Sequence, residues 1–238
     1  MAARVMLRAV VFDLFGTLVP EFPLVDWERM HEGMATALGV EVDAFRAEWN
    51  ATMFERQTGR LGDMEANVRA ICARLGAEPS AERLGAAMEA RAEIYRGNFR
   101  PQPGAVETLG WLREHGYATA LVSMCAPDAP ALWRASAMGD LIDVLVFSSE
   151  VGMRKPDAEI YLHAADRLDV DPSSCLYVGD GSYRELSGAA AVGMHPVLIR
   201  DPSERAGAIH RPHAEDWRGP AIDSLAEIPA LLSGPRGP

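Results

Sequence analysis

Residues Val10-Val11-Phe12-Asp13-Leu14-Phe15-Gly16-Thr17-Leu18 decide how the rest of the chain reads. A short apolar run ends abruptly in a carboxylate, and Gly-Thr follows at once. Such a run, bounded by a turn signal, predicts a buried strand. Asp13 then sits where the strand leaves its sheet, the edge at which open α/β sheets bind ligands. Gly16 lets the backbone bend so that successive N–H groups can converge on one anion. Asp13 is therefore the candidate nucleophile.

Downstream of this strand the pattern is helical for some 80 residues. Pro20 and Pro23 punctuate a loop. A helix is predicted over 26–38, capped by Asp26 and stopped by Gly39, with Trp27, Met30, Met34 and Leu38 on one face. A second is predicted over 42–58, a third over 63–75 capped by Asp63, and a fourth over 80–95 capped by Ser80. After Pro101 and Pro103 helices and strands alternate. Strands are expected at 118–123, 144–147, 176–178 and 196–199. Helices are expected at 105–114, 130–138, 157–168 and 184–192, with a short one near Leu225 and a frayed Gly/Pro tail. Repeated βα units imply a parallel sheet with helices on both faces. The expected fold is α/β: a Rossmann-like three-layer core formed by residues 1–20 and 100–238, and an all-helical cap inserted at 21–99.

Composition excludes several classes of partner. The 238 residues are 48% hydrophobic and 24% charged, as in ordinary globular proteins. The net charge is −11 and basic residues form no cluster, which argues against nucleic acid and anionic membrane surfaces. No apolar stretch approaches the length of a membrane span. Cys72, Cys125 and Cys175 are too widely spaced for a disulfide framework or zinc site. A cytoplasmic protein with a small-molecule substrate is expected. Lys155 is the only lysine; every other basic residue is arginine.

Four polar groups follow predicted strands. They are Asp13, Ser123, Lys155 (opening the helix after the third strand) and Asp180 in Gly179-Asp180-Gly181. A parallel sheet gathers them at one edge. A carboxylate, a hydroxyl, a cation and a second acid suit a phosphoryl group, whose transfer depends on positioning and charge neutralisation.

On these residues the chain resembles the haloacid dehalogenase superfamily of hydrolases. Phe12-Asp13-Leu14-Phe15-Gly16-Thr17-Leu18 matches its first motif, and Ser123 after Leu121-Val122 the second. Arg154-Lys155-Pro156-Asp157 matches the third. Val178-Gly179-Asp180, with Glu185 five positions on, matches the fourth. The resemblance implies that Asp13 forms a covalent aspartyl intermediate while Ser123 and Lys155 hold the transferring group. It implies a phosphate cradle of Phe15, Gly16, Thr17, Ser123, Met124 and Lys155. It further implies a Mg²⁺ ion held by Asp13, the Phe15 carbonyl, Asp180 and Glu185; hard oxygen ligands suit that ion. The inserted helices look like the family's substrate-selecting cap, where Arg56 and Arg60 are candidates to clamp a substrate anion.

One departure bears on the reaction. Family phosphatases carry a second Asp two residues after the nucleophile, a general acid and base; here the residue is Phe15. A phenyl ring moves no proton, and such catalysis contributes roughly 10²–10⁴-fold. Haloacid dehalogenases carry an aromatic residue at this position, because halide leaves without a proton. Gly179-Asp180-Gly181 instead resembles the magnesium motif of the phosphatase branch. The leading expectation is a Mg²⁺-dependent phosphatase-like hydrolase. The alternatives are a metal-independent 2-haloacid dehalogenase and a degenerate member that binds without turnover.

Overall fold

The computed structural model describes residues 6–200 and 213–233. Six parallel strands form one sheet: β1 (Ala9–Phe12), β2 (Ala118–Ser123), β3 (Val144–Phe147), β4 (Cys175–Gly179), β5 (His195–Ile199) and β6 (Ala221–Ile222), in the order β3-β2-β1-β4-β5-β6. From β1 the chain builds outward to β2 and β3, then crosses back to place β4 on the other side of β1. The crevice between β1 and β4 is thus the switch point of the topology, where α/β sheets bind ligands.

The sequence of β1 fits this central position. Val11 is flanked by Ala120 and Tyr177, and Phe12 by Leu121 and Val178. All four strand residues are buried, so the strand reads as an unbroken apolar run. Alternation then divides them between two layers. Val10 and Phe12 pack with α6 (Ala105–Glu114) and with Trp133 of α7 (Ala129–Ala135). Ala9 and Val11 face the opposite layer, with Ile160, Tyr161 and Ala164 of α9 (Ala158–Leu168) and Leu186 of α10 (Glu185–Ala191). A short α8 (Ser148–Val151) follows β3, and α11 (Ile228–Ser233) ends the described chain, placing Ile228 in the first layer.

Between β1 and α6 lie five helices: α1 (Leu24–Leu38), α2 (Val42–Ala51), α3 (Met53–Gln57), α4 (Met64–Arg74) and α5 (Ala81–Asn98). They bury a cluster of their own, with Met30, Met34, Phe45, Trp49, Val68, Ile71 and Leu84 inside. Asp63 and Ser80 cap α4 and α5 as expected, accepting from Ala66 N–H and Arg83 N–H.

Several boundaries differ from the sequence expectations. The first helix begins two residues before Asp26, because the Pro23 carbonyl accepts from the N–H groups of Asp26 and Trp27. Asp26 instead lies in the first turn and accepts from Asn98 Nδ2 at 3.1 Å. The helix expected over 42–58 is broken at Thr52. The buried Thr52 hydroxyl donates to the Glu48 carbonyl one turn back at 2.7 Å, a bond that bends helices. The two-residue edge strand β6 is too short to leave a periodic signature. The expected frayed tail lies outside the described residues, as do residues 1–5. Among the described residues, no helix is long and apolar enough to cross a membrane.

Candidate active site

Asp13 leaves β1 with its N–H donating to the Val178 carbonyl of β4 at 2.9 Å. Its carboxylate is 6% exposed and meets Lys155 Nζ at 2.5 Å. The same ammonium lies 2.5 Å from Glu185 Oε2. Glu185 is fixed from three sides: by Lys155, by the Tyr177 hydroxyl donating at 2.8 Å, and by Gly181 N–H donating to Oε1 at 3.0 Å. Asp180 accepts from Ser182 N–H at 2.8 Å and from the Ser182 hydroxyl at 2.9 Å. Oxygens of Asp13, Asp180 and Glu185 lie within 4.8 Å of one another.

Two glycines make this closeness possible. Gly16 has φ +77°, and a Cβ there would stand 2.7 Å from Asp180 Oδ2. A Cβ on Gly179 would overlap Glu185 Oε1. Both positions are backbone yielding space to a carboxylate. The next turn is tighter still. Tyr183 and Arg184 both take positive φ, 54° each, an uncommon conformation for residues with a side chain. The chain reverses there and returns Glu185 toward Lys155.

Charge is unbalanced in this cluster, with three buried carboxylates to one ammonium. Burial first, then the Glu185 charge, raises the Asp13 carboxyl to about 7, with Lys155 pulling the other way. Burial likewise raises Glu185 to about 7, opposed by Lys155 and reinforced by Asp180. Burial works against the Lys155 charge, yet Asp13 and Glu185 more than offset it, so its pKa is raised. The three hard-oxygen donors fit a divalent cation: they are close, buried and carry more negative charge than Lys155 neutralises. Thr17 Oγ1, in the turn after β1, and Ser123 Oγ, at the end of β2, are buried, and each lacks a hydrogen-bond partner.

Asp13 opens onto a cavity of about 260 Å³ between the sheet edge and the helical insertion. Phe15, Met124 and Arg56 also border it. Gly16, Thr17, Ser123, Lys155, Asp180 and Glu185 are not among its lining residues; Lys155 and Glu185 sit behind Asp13. Arg60 is exposed and away from the cavity. Arg56 is 4% exposed, donates to the Trp49 carbonyl at 2.8 Å and to Thr52 Oγ1 at 3.2 Å, and stacks 3.9 Å above the Trp49 ring. No carboxylate is among these partners. Burial, then the Arg91 charge, lowers its pKa to about 9. Phe15 packs edge-on against Phe22 and Phe99, with centroids 5.5 and 6.0 Å apart.

Sequence reasoning missed three parts of the cavity wall. Arg91 of α5 is fully buried and grips Asp128, in the loop after β2, through two bonds of 2.6 and 3.0 Å. Tyr183 accepts from Gln57 Nε2 of α3 at 2.8 Å. Glu21 lines the same cavity as Asp13 and Phe15. The sequence signal for Glu21 was its place just after the first motif; Arg91 and Tyr183 had none. Cys125 packs in the core of the first layer, and burial pushes its thiol up to about 12.

Comparison with known proteins agrees with this geometry. Residues 7–193 match the model of the haloacid dehalogenase-like hydrolase family. Glyceraldehyde 3-phosphate phosphatase of Methanopyrus kandleri is 29% identical over 198 residues, covering 82% of this chain and 84% of that protein. (S)-2-haloacid dehalogenase 1 of Pseudomonas sp. is 33% identical over 134 residues, covering 55% of each. The crystal structure of 2-haloacid dehalogenase from Pseudomonas syringae shares the fold with a TM-score of 0.70 at 22% identity, covering 96% of this chain and 99% of that one. With most of its length matched and its carboxylates gathered at the switch point of a parallel sheet, the chain belongs to the haloacid dehalogenase-like hydrolases.

Proposed function

We propose that this hydrolase is a Mg²⁺-dependent phosphatase acting on a small phosphate ester, with Asp13 as nucleophile. The observation that carries this reading is the surplus of buried carboxylate. Asp13, Asp180 and Glu185 crowd within 4.8 Å, and a single lysine opposes them. A reaction that needs only a carboxylate and a halide leaving group has no use for that surplus; a divalent cation balances it. Asp13, the Phe15 carbonyl and Asp180 would hold the ion, with Glu185 completing the set or anchoring Lys155 behind it. Bound there, Mg²⁺ supplies charge neutralisation at the phosphoryl oxygens.

The residues of the chain do the rest. An Asp13 oxygen attacks phosphorus as the bond to the ester oxygen breaks, leaving an aspartyl phosphate that water then cleaves. Lys155 holds Asp13 in place and offsets its charge. The unpartnered hydroxyls of Thr17 and Ser123 are free to donate to phosphoryl oxygens. Arg56, with no carboxylate among its hydrogen-bond partners in the described residues, suits a second anionic group on the substrate. The relative named glyceraldehyde 3-phosphate phosphatase supports the class of reaction.

A second reading, hydrolysis of 2-haloacids, is favoured by Phe15 and by the aromatic wall of Phe22, Trp27 and Trp49. One experiment separates the two: release of phosphate from p-nitrophenyl phosphate with and without Mg²⁺, beside release of halide from 2-chloropropionate. Phosphate release that requires Mg²⁺, and that falls at least about 10³-fold in Asp13→Asn, is the expected result. Halide release without metal, and no phosphate release, would replace the first reading with the second.

A further inference from the structure

Phe15 removes the proton-moving side chain from its usual place, and the cavity offers a carboxyl beside it. The first motif folds into a tight turn in which Gly16 N–H donates to the Val19 carbonyl at 2.7 Å and Phe15 bridges to Val19. That turn brings the following residues back toward Phe15, and the Phe15 and Phe22 rings stand 5.5 Å apart. Glu21, next to Phe22 in sequence, borders the cavity together with Asp13 and Phe15. Its Oε1 accepts from Phe22 N–H at 3.1 Å, and the Trp27 indole also hydrogen-bonds to its carboxyl. These two N–H donors fix the side chain and occupy acceptor positions, leaving a carboxyl proton free to point elsewhere.

Resting on the phosphatase reading, we propose that Glu21 is the general acid and base of this site, replacing in space the carboxyl that Phe15 lacks in sequence. Burial, then the charges of Asp180 and Asp13, raises its carboxyl well above the ordinary carboxylate range, the direction that favours the proton-bearing form. Tyr183, another proton-bearing group on the cavity wall, is the weaker candidate. The Tyr183 hydroxyl is engaged by Gln57 and by Met53 Sδ, and burial raises its pKa further.

The proton balance closes over two steps. As Asp13 Oδ bonds to phosphorus, the ester P–O bond breaks and its electron pair goes to the leaving oxygen, which takes the Glu21 proton. Glu21, now a carboxylate, removes a proton from the water that attacks the aspartyl phosphate. The Asp13–phosphorus bond breaks, inorganic phosphate leaves, and both side chains return to their starting states.

General acid catalysis matters most when the leaving group is basic. The test compares wild type and Glu21→Gln, each with Mg²⁺, on p-nitrophenyl phosphate and on phenyl phosphate, two esters of similar size. Gln keeps the acceptor for Phe22 and Trp27 but holds no acidic proton. The expected result is that the variant retains p-nitrophenyl phosphate turnover within about tenfold, which also shows it folded, and loses about 10²-fold on phenyl phosphate. Equal losses on both esters, or no loss on either, would overturn the assignment. So would a wild type that turns over p-nitrophenyl phosphate and not phenyl phosphate. A wild type inactive on both would remove the phosphatase reading itself, and Glu21's role with it.

Discussion

Behind the floor of the cavity one ammonium serves two carboxylates, while in its roof one carboxylate serves one of two buried guanidinium groups. Lys155 lies between Asp13 and Glu185, with Asp180 close by, so the floor is rich in negative charge. Arg91 pairs with Asp128, whereas Arg56 rests on a carbonyl, a hydroxyl and the face of Trp49. Arg91 also stacks on Tyr95, at 4.1 Å. Both regions set a buried cation over an aromatic face, Lys155 over Tyr177 at 5.6 Å below and Arg56 over Trp49 at 3.9 Å above; only below do the carboxylates outnumber the cation. On the proposed reading, a ligand that is anionic at both ends would meet a cation held by the floor and the guanidinium of Arg56 in the roof.

The largest disturbance of this contrast is expected at Lys155. Lys155→Met leaves buried carboxylates unopposed and should cost about 3–5 kcal/mol in urea unfolding of the metal-free protein. The cost should depend on pH with a definite sign. Asp13 and Glu185 are raised to about 7 from ordinary values near 4, so the native state binds more protons than the unfolded chain between those limits. Stability therefore falls as pH rises from about 4 to about 7. The loss in Lys155→Met should be greater at pH 8 than at pH 5. A cost independent of pH would show that Lys155 is not what holds the carboxylates together.

In the roof the two members of an ion pair should be unequal. Asp128→Asn strips a buried cation of its counter-charge, at about 2–3 kcal/mol; this is below the usual range for a buried pair because the Asp128 side chain is 26% exposed. Arg91→Met leaves a carboxylate that can reach water and fills the space with an apolar chain, and should cost about half as much or less. Thermal unfolding of the two variants gives the ranking directly, and the reverse order would mean that packing rather than charge sets the value of this contact.

The smallest effect sharpens the role assigned to the roof. Arg56→Met should raise KM for a phosphate ester bearing a second anion by about tenfold and leave kcat within about threefold, the pattern of lost substrate binding. An unchanged KM would confine Arg56 to the packing of α2 against α3.

These differences also explain which parts were legible in the sequence. Asp13 and Asp180 each end a strand, and parallel pairing of β1 with β4 brings strand ends together without further information. Lys155 and Glu185 follow from the same topology through short connections. Glu21 follows the first motif closely in sequence, but its place on the cavity wall depends on the turn in which Gly16 N–H donates to the Val19 carbonyl, which no periodicity encodes. Arg91 and Asp128 are 37 positions apart and Gln57 and Tyr183 are 126 apart, so their meeting depends on how the insertion sits over the sheet. No periodicity encodes that. Arg60, with the same chemistry as Arg56 and only four residues away, is exposed; in one continuous helix the two would share a face, but α3 ends at Gln57 and the chain turns at Gly59, φ +69°, between them.

Lys155 has one more consequence. It is the sole lysine of the sequence, and in the folded chain its side chain is fully enclosed. Amine-directed chemistry therefore finds no side-chain target on the surface. Acylation of lysine becomes a single-site clock, advancing only when the sheet edge opens, so the protein carries in its composition a built-in reporter of the opening of its own active site.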